Sequence, residues 1–66
     1  MADYECREQD DGTFDTRKVG ASRNQSNGDG KQDSWLTAQA LAHNSGGGTV
    51  TQYDRNGNVI RSKDVD

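Results

Sequence analysis

The sequence predicts an α+β fold of order ββαββ: one small antiparallel sheet with a single helix packed across one face. Two segments of alternating character flank an Asp-Gly step near the start of the chain, and two more flank an Asn-Gly step near its end. Both steps are strong hairpin signals, because glycine accepts a positive φ. Between the hairpins lies one segment with apolar residues at helical spacing. It is too short to be stable alone, so it needs a sheet to pack on.

The first strand is predicted over residues 3–9, where Tyr4, Cys6 and Glu8 share one face and Asp3, Glu5, Arg7 and Gln9 the other. Asp10-Asp11-Gly12 turns the chain into a second strand over 13–19, with Phe14, Thr16 and Lys18 on one face. Tyr4, Cys6 and Phe14 are the expected inward side chains. Residues 20–33 read as a flexible polar loop, with three glycines and an Asn27-Gly28 turn signal. A short edge strand near Ala21–Gln25 is the competing reading of that stretch.

The helix is predicted over 34–43, capped by Asp33 or Ser34 through a bond to a free N–H of the first turn. Trp35, Ala38, Leu41 and Ala42 form its apolar stripe. Asn44-Ser45-Gly46-Gly47-Gly48 ends it, a glycine taking the left-handed conformation at little cost. Strands follow over 49–54 and 59–63 around Arg55-Asn56-Gly57-Asn58, and Asp64–Asp66 is expected to fray. The second sheet face is expected to be polar.

Composition narrows what such a domain can be. The chain has 66 residues, of which 27% are hydrophobic with alanine included, and a mean hydropathy of −1.21. That is a thin core for a single domain. One cysteine excludes an internal disulfide, and one histidine leaves no Cys/His metal set. Self-association, as a homodimer, is the remaining way to enlarge the core. The formal charge of −3 argues against a general nucleic-acid or anionic-membrane binder. No segment is long and apolar enough to span a membrane. Met1–Glu5 lacks the basic start and apolar run of a secretory leader. The expected location is therefore the cytoplasm, of a prokaryote or of an infected host cell.

Three segments, in order, carry a resemblance that covers nearly the whole chain. They are Lys18-Val19-Gly20-Ala21-Ser22-Arg23, Asn44-Ser45-Gly46-Gly47-Gly48 and Asp54-Arg55-Asn56-Gly57-Asn58-Val59-Ile60. Together they resemble the small prokaryotic and phage domains of unknown function related to the YegP-like group. The stretch Asn24–Asp33 is longer and richer in glycine than that pattern, and Asn56 stands where aspartate is common. The resemblance implies the ββαββ order and brings no catalytic residues with it.

Chemistry-bearing groups are sparse. Cys6 and His43 are the only candidates for nucleophilic catalysis, which needs a thiolate beside a base. Cys6 in its strand reads as a small buried hydrophobe, and His43 as a residue of the last helical turn. Asp10-Asp11-Gly12 and Asn27-Gly28-Asp29-Gly30 lack the alternating ligands and distant glutamate of a calcium loop. Gly46-Gly47-Gly48 follows a helix instead of preceding one, so it is no phosphate loop. The sequence therefore offers no catalytic, cofactor-binding or metal-ligating set.

What remains is a candidate interaction surface: Arg17, Arg23, Tyr53, Arg55, Arg61 and Lys63. The expected function is a small non-enzymatic protein-interaction module. Its sharper form is an accessory protein of a phage or mobile element that binds and inhibits a host nucleic-acid-handling complex. A protein partner is expected, and direct nucleic-acid binding ranks below it. The alternative function is a single-stranded nucleic-acid-binding domain that uses the sheet face through Tyr53, Arg55 and Arg61.

Overall fold

A computed structural model describes the whole chain, Met1–Asp66. It is an α+β fold in which one helix packs across one face of a five-stranded sheet. The elements are β1 (Tyr4–Glu8), β2 (Phe14–Lys18), β3 (Asn24–Asp29), α1 (Lys31–Asn44), β4 (Gly48–Tyr53) and β5 (Val59–Val65). The order across the sheet is β3-β2-β1-β4-β5.

Both predicted hairpins form, and both use the same three-residue turn. Gln9 N–H donates to the Thr13 carbonyl, Gly12 N–H donates to the Gln9 carbonyl, and Gly12 has φ +85°. In the second hairpin Asp54, Gly57 and Asn58 repeat that pattern, with Gly57 at φ +85°. A left-handed residue at the third loop position is what this turn requires, and glycine supplies it without strain.

The sheet differs from the expected one in two respects. It is mixed, because β1 runs parallel to β4, with Tyr4 opposite Val50 and Cys6 opposite Gln52. The two hairpins thus join through their first strands, while the long connection passes over the sheet as α1. The second difference is β3. The expected flexible loop over 20–33 holds one of the sheet's five strands: Asn24–Asp29 pairs antiparallel with β2, and residues 31–33 already belong to the helix. The segment has no hydrophobic alternation to announce a strand. Its pairing is supported by polar bonds to β2, from Asn24 Nδ2 and Gly28 N–H to the Asp15 carboxylate.

The helix begins three residues before its predicted start. Gly30 is the N-cap, in an extended conformation and without a side-chain cap bond. Asp33 and Ser34, the expected caps, lie inside the first turn, where Ser34 Oγ donates back to the Lys31 carbonyl at 3.0 Å. The helix ends as the glycines predict. Gly46 N–H donates to the His43 carbonyl and Gly47 N–H to the Ala42 carbonyl, with both glycines at positive φ; this is the Schellman arrangement. Gly48 is required for a different reason. A Cβ there would overlap the Ala2 carbonyl oxygen and come within 2.7 Å of its carbon. The terminal segment expected to fray is instead held, because β5 continues to Val65 and the Asp66 carbonyl lies 2.6 Å from His43 Nδ1.

The core lies between the helix and the strands beneath it. Tyr4, Cys6, Phe14, Trp35, Ala38, Ala42 and Val50 are buried, with Ala2, Leu41 and Val65 packed at its margin. Ala38 and Ala42 are the fully buried small residues of the helix, and Trp35 and Phe14 are the large side chains of the same core. Thr16, Ser34 and Gln52 are fully buried polar residues, and no buried side-chain polar atom lacks a hydrogen-bond partner.

Candidate functional site

The pleat gives the sheet two chemically distinct faces. Cross-strand partners share a face, so the pairs Cys6–Thr16, Cys6–Gln52 and Gln52–Arg61 define the side under the helix. The pairs Glu5–Arg17, Arg7–Asp15, Arg7–Tyr53 and Thr51–Ser62 define the open side.

Glu5 organises the open side. It is 8% exposed and sits between two arginines. Arg7 donates to both of its carboxylate oxygens, at 3.2 and 3.3 Å, and Arg17 adds a third bond at 3.0 Å. Burial by itself would raise the Glu5 carboxyl, but the bonds and charges of Arg7 and Arg17 outweigh it and hold the group below its ordinary range. The same contact raises Arg7, whose guanidinium also stacks 4.4 Å over the Tyr53 ring. Glu5, Arg7, Gln9, Asp15, Arg17 and Asn24 line a shallow depression of about 220 Å³ with no apolar wall. Two carboxylates and two guanidiniums leave it without net charge. It is smaller than the pockets that enclose organic ligands, roughly 300–1,000 Å³.

The helix side is organised by Gln52. Its side-chain N–H group donates to the Lys31 carbonyl at 2.8 Å and to Ser34 Oγ at 3.2 Å, and its oxygen accepts from Arg61 Nε at 2.9 Å. Arg61 then stacks 4.5 Å over Trp35 and reaches the Gln32 side chain at 3.1 Å. Lys63, next on that side of β5, reaches Gln39 at 3.4 Å. Cys6 is closed in below: its thiol donates to the Ser34 carbonyl at 3.3 Å, and burial pushes it up from its usual range. A thiol in that state is a poor nucleophile.

The six sequence-predicted site residues therefore do not form one surface. Tyr53 and Arg17 lie on the open side, while Arg61 and Lys63 lie under the flank of the helix. Arg55 is in the second turn, 3.8 Å from the Glu8 carboxylate, and Arg23 is exposed ahead of β3. Tyr53, Arg55 and Arg61 are not a common face for a single strand of nucleic acid. Sequence reasoning missed Glu5 and Arg7, whose signal was present in the alternation of β1, and it missed Gln52, whose burial depends on which strand lies beside β4.

Two further features concern association. The edges of the sheet are unequal. β3 meets β2 with two register shifts, and Gly28 within it has φ +69°. β5 keeps unbroken register with β4 from Arg61 to Val65, shifting only beyond Gln52. Six of the eleven acidic residues, for their part, gather at one end of the molecule. Glu8 ends β1 and Asp10 and Asp11 follow it, Asp54 follows the parallel β4, and Asp29 and Asp33 flank the start of the helix. No helix is long and apolar enough to cross a membrane. Compared with family models, curated proteins and solved structures, the chain matches none.

Proposed function

We propose that this chain is a non-enzymatic protein-interaction module that receives an extended segment of its partner along β5. The observation that carries the reading is the contrast between the edges. β3 is irregular, with two register shifts against β2, which disfavours further pairing, whereas β5 keeps regular register and offers an outer row of backbone donors and acceptors. Adding a strand to such an edge is a recurrent mode of peptide recognition. Both faces are chemically occupied: the helix covers one, and the other is a lattice of charges that largely satisfy each other.

A photo-crosslinking residue at Ser62, exposed on the open side of β5, tests this in the cell that makes the protein. It is expected to give a discrete adduct, while the same residue at Asn27, on the opposite edge, gives none. Adducts only at Asn27, or equally at both positions, would remove the reading.

A second reading rests on the acidic end. An accessory protein of a phage or mobile element that inhibits a host nucleic-acid-handling complex would need to mask a basic surface, and six carboxylates around the turns suit that task. Its expected signature is binding to such a complex that weakens steeply with salt and is lost on replacing Asp10 and Asp11 with asparagine and serine.

A further inference from the structure

The edge reading above leaves open what kind of strand β5 accepts, and the side chains beside that edge bear on it. Arg61 and Lys63 stand two residues apart on the helix side of β5. Gln32 and Gln39 of α1 bond to them, so the flank of the helix that carries these glutamines is the one facing β5. Leu36 lies four residues after Gln32 and three before Gln39, on that same flank, and is 52% exposed. Val59 and Ile60, at the start of β5, are 59% and 37% exposed. The edge thus presents two cations in register, with an apolar residue above them and two more at one end. This basic strip belongs to a chain whose net charge is −3.

A second copy of the chain fits this edge poorly if both helices are to lie on one face. A two-fold pairing of that kind needs a residue on the axis. Around Ser62 it sets Arg61 against Lys63 of the second copy, around Arg61 it sets the two arginines together, and around Lys63 the two lysines. Like charges directly opposite one another destabilise a strand pair. A two-fold axis that puts the helices on opposite faces makes the two β5 strands run parallel, so no antiparallel pairing of the two outer edges sets Arg61 against Asp64.

We propose that β5 accepts an extended acidic segment of another protein as a sixth strand, with carboxylates at alternate positions facing Arg61 and Lys63. Either strand direction satisfies the pattern, because side chains on both strands alternate with period two. The inference rests on the edge reading, but it can fail without it.

Three seven-residue peptides with blocked ends separate the two. They alternate threonine with glutamate, with glutamine or with lysine, and match β5 in length. Titration into the full chain at low salt is followed by the amide NMR spectrum and by hydrogen exchange. The glutamate peptide is expected to shift the β5 amides and slow their exchange, the glutamine peptide to bind more weakly, and the lysine peptide not to bind. Lys63→Glu, at an exposed position, is expected to weaken the glutamate peptide about tenfold and to gain binding of the lysine peptide. Trp35 fluorescence reports that the variant is folded. Equal binding of all three peptides at β5 would overturn the acidic chemistry and leave the edge reading intact. No change at β5 with any peptide would overturn both. A dimer of the free protein with β5 amides protected would overturn the proposal in favour of self-pairing.

Discussion

Glu5 anchors the open side of the sheet, and its charge state links that side to pH. Its carboxyl is held below the ordinary range in the folded chain, so its contribution to stability is present in full above that range. The contribution fades as pH falls through the lowered folded value, where the native carboxylate also takes up its proton. Glu5→Gln is expected to cost about 1–2 kcal/mol at neutral pH, nearer the scale of exposed ion pairs than of buried ones because both arginines reach water. Urea unfolding of the two proteins checks this: the gap should be full at pH 7 and shrink in acid below the ordinary carboxylate range. A gap that stays constant with pH would mean that packing, not charge, sets the effect. Gln52 is the counterpart on the other side. Gln52→Leu fills a similar volume but leaves the Lys31 carbonyl and Arg61 without their partner. It should destabilise by about 1–3 kcal/mol and shift the emission of Trp35, which Arg61 covers.

At the scale of elements, the helix shows where improvement is available. Gly30 occupies the N-cap with φ −66° and ψ 166°, a conformation open to any residue, and no side chain caps the first turn. A Cβ at Gly30 meets only the Asp33 carboxylate, at 3.9 Å. Gly30→Ser is therefore expected to stabilise by about 0.5–1 kcal/mol, through a cap bond and a less mobile unfolded chain, seen as a higher urea midpoint. The same helix shows what the sequence could and could not reveal. Its apolar stripe, its glycine stop and the two Gly-bearing hairpins were legible, because each follows from local spacing or from a positive φ. Its start was not: Asp33 and Ser34 are good caps by type, yet the chain is already helical at Lys31, where Gln52 from β4 binds the carbonyl. Strand β3 was invisible for a related reason. Asn-Gln-Ser-Asn-Gly-Asp has no inward apolar row, and its pairing depends on Asp15 of a neighbouring strand. The candidate site divided in the same way: alternation put Glu5 and Arg7 together, but placing Arg61 and Tyr53 on opposite faces required the register of β4 with β5.

For the whole molecule, the thin core raised the expectation of a homodimer. The folded chain meets much of that need internally. A buried network of Gln52, Ser34, Thr16 and Cys6 joins sheet to helix, and every buried polar side-chain atom is bonded. With β3 irregular in register and β5 carrying Arg61 and Lys63, the free protein is expected to remain a folded monomer across a dilution series in light scattering. A persistent dimer would show that the core is completed by a second copy.

The parallel contact of β1 with β4 also has a consequence for synthesis. Tyr4 pairs with Val50 and Arg7 with Tyr53, so the first strand of the domain lacks its central neighbour until β4 has been made. The early hairpin, β1 with β2, can form as the chain emerges, but it gains no second layer before α1 and β4 arrive. Contacts so distant along the chain delay closure of the sheet. Closure of the sheet thus waits for β4, and a chain stopped before β4 would leave the inner edge of β1 open to strangers.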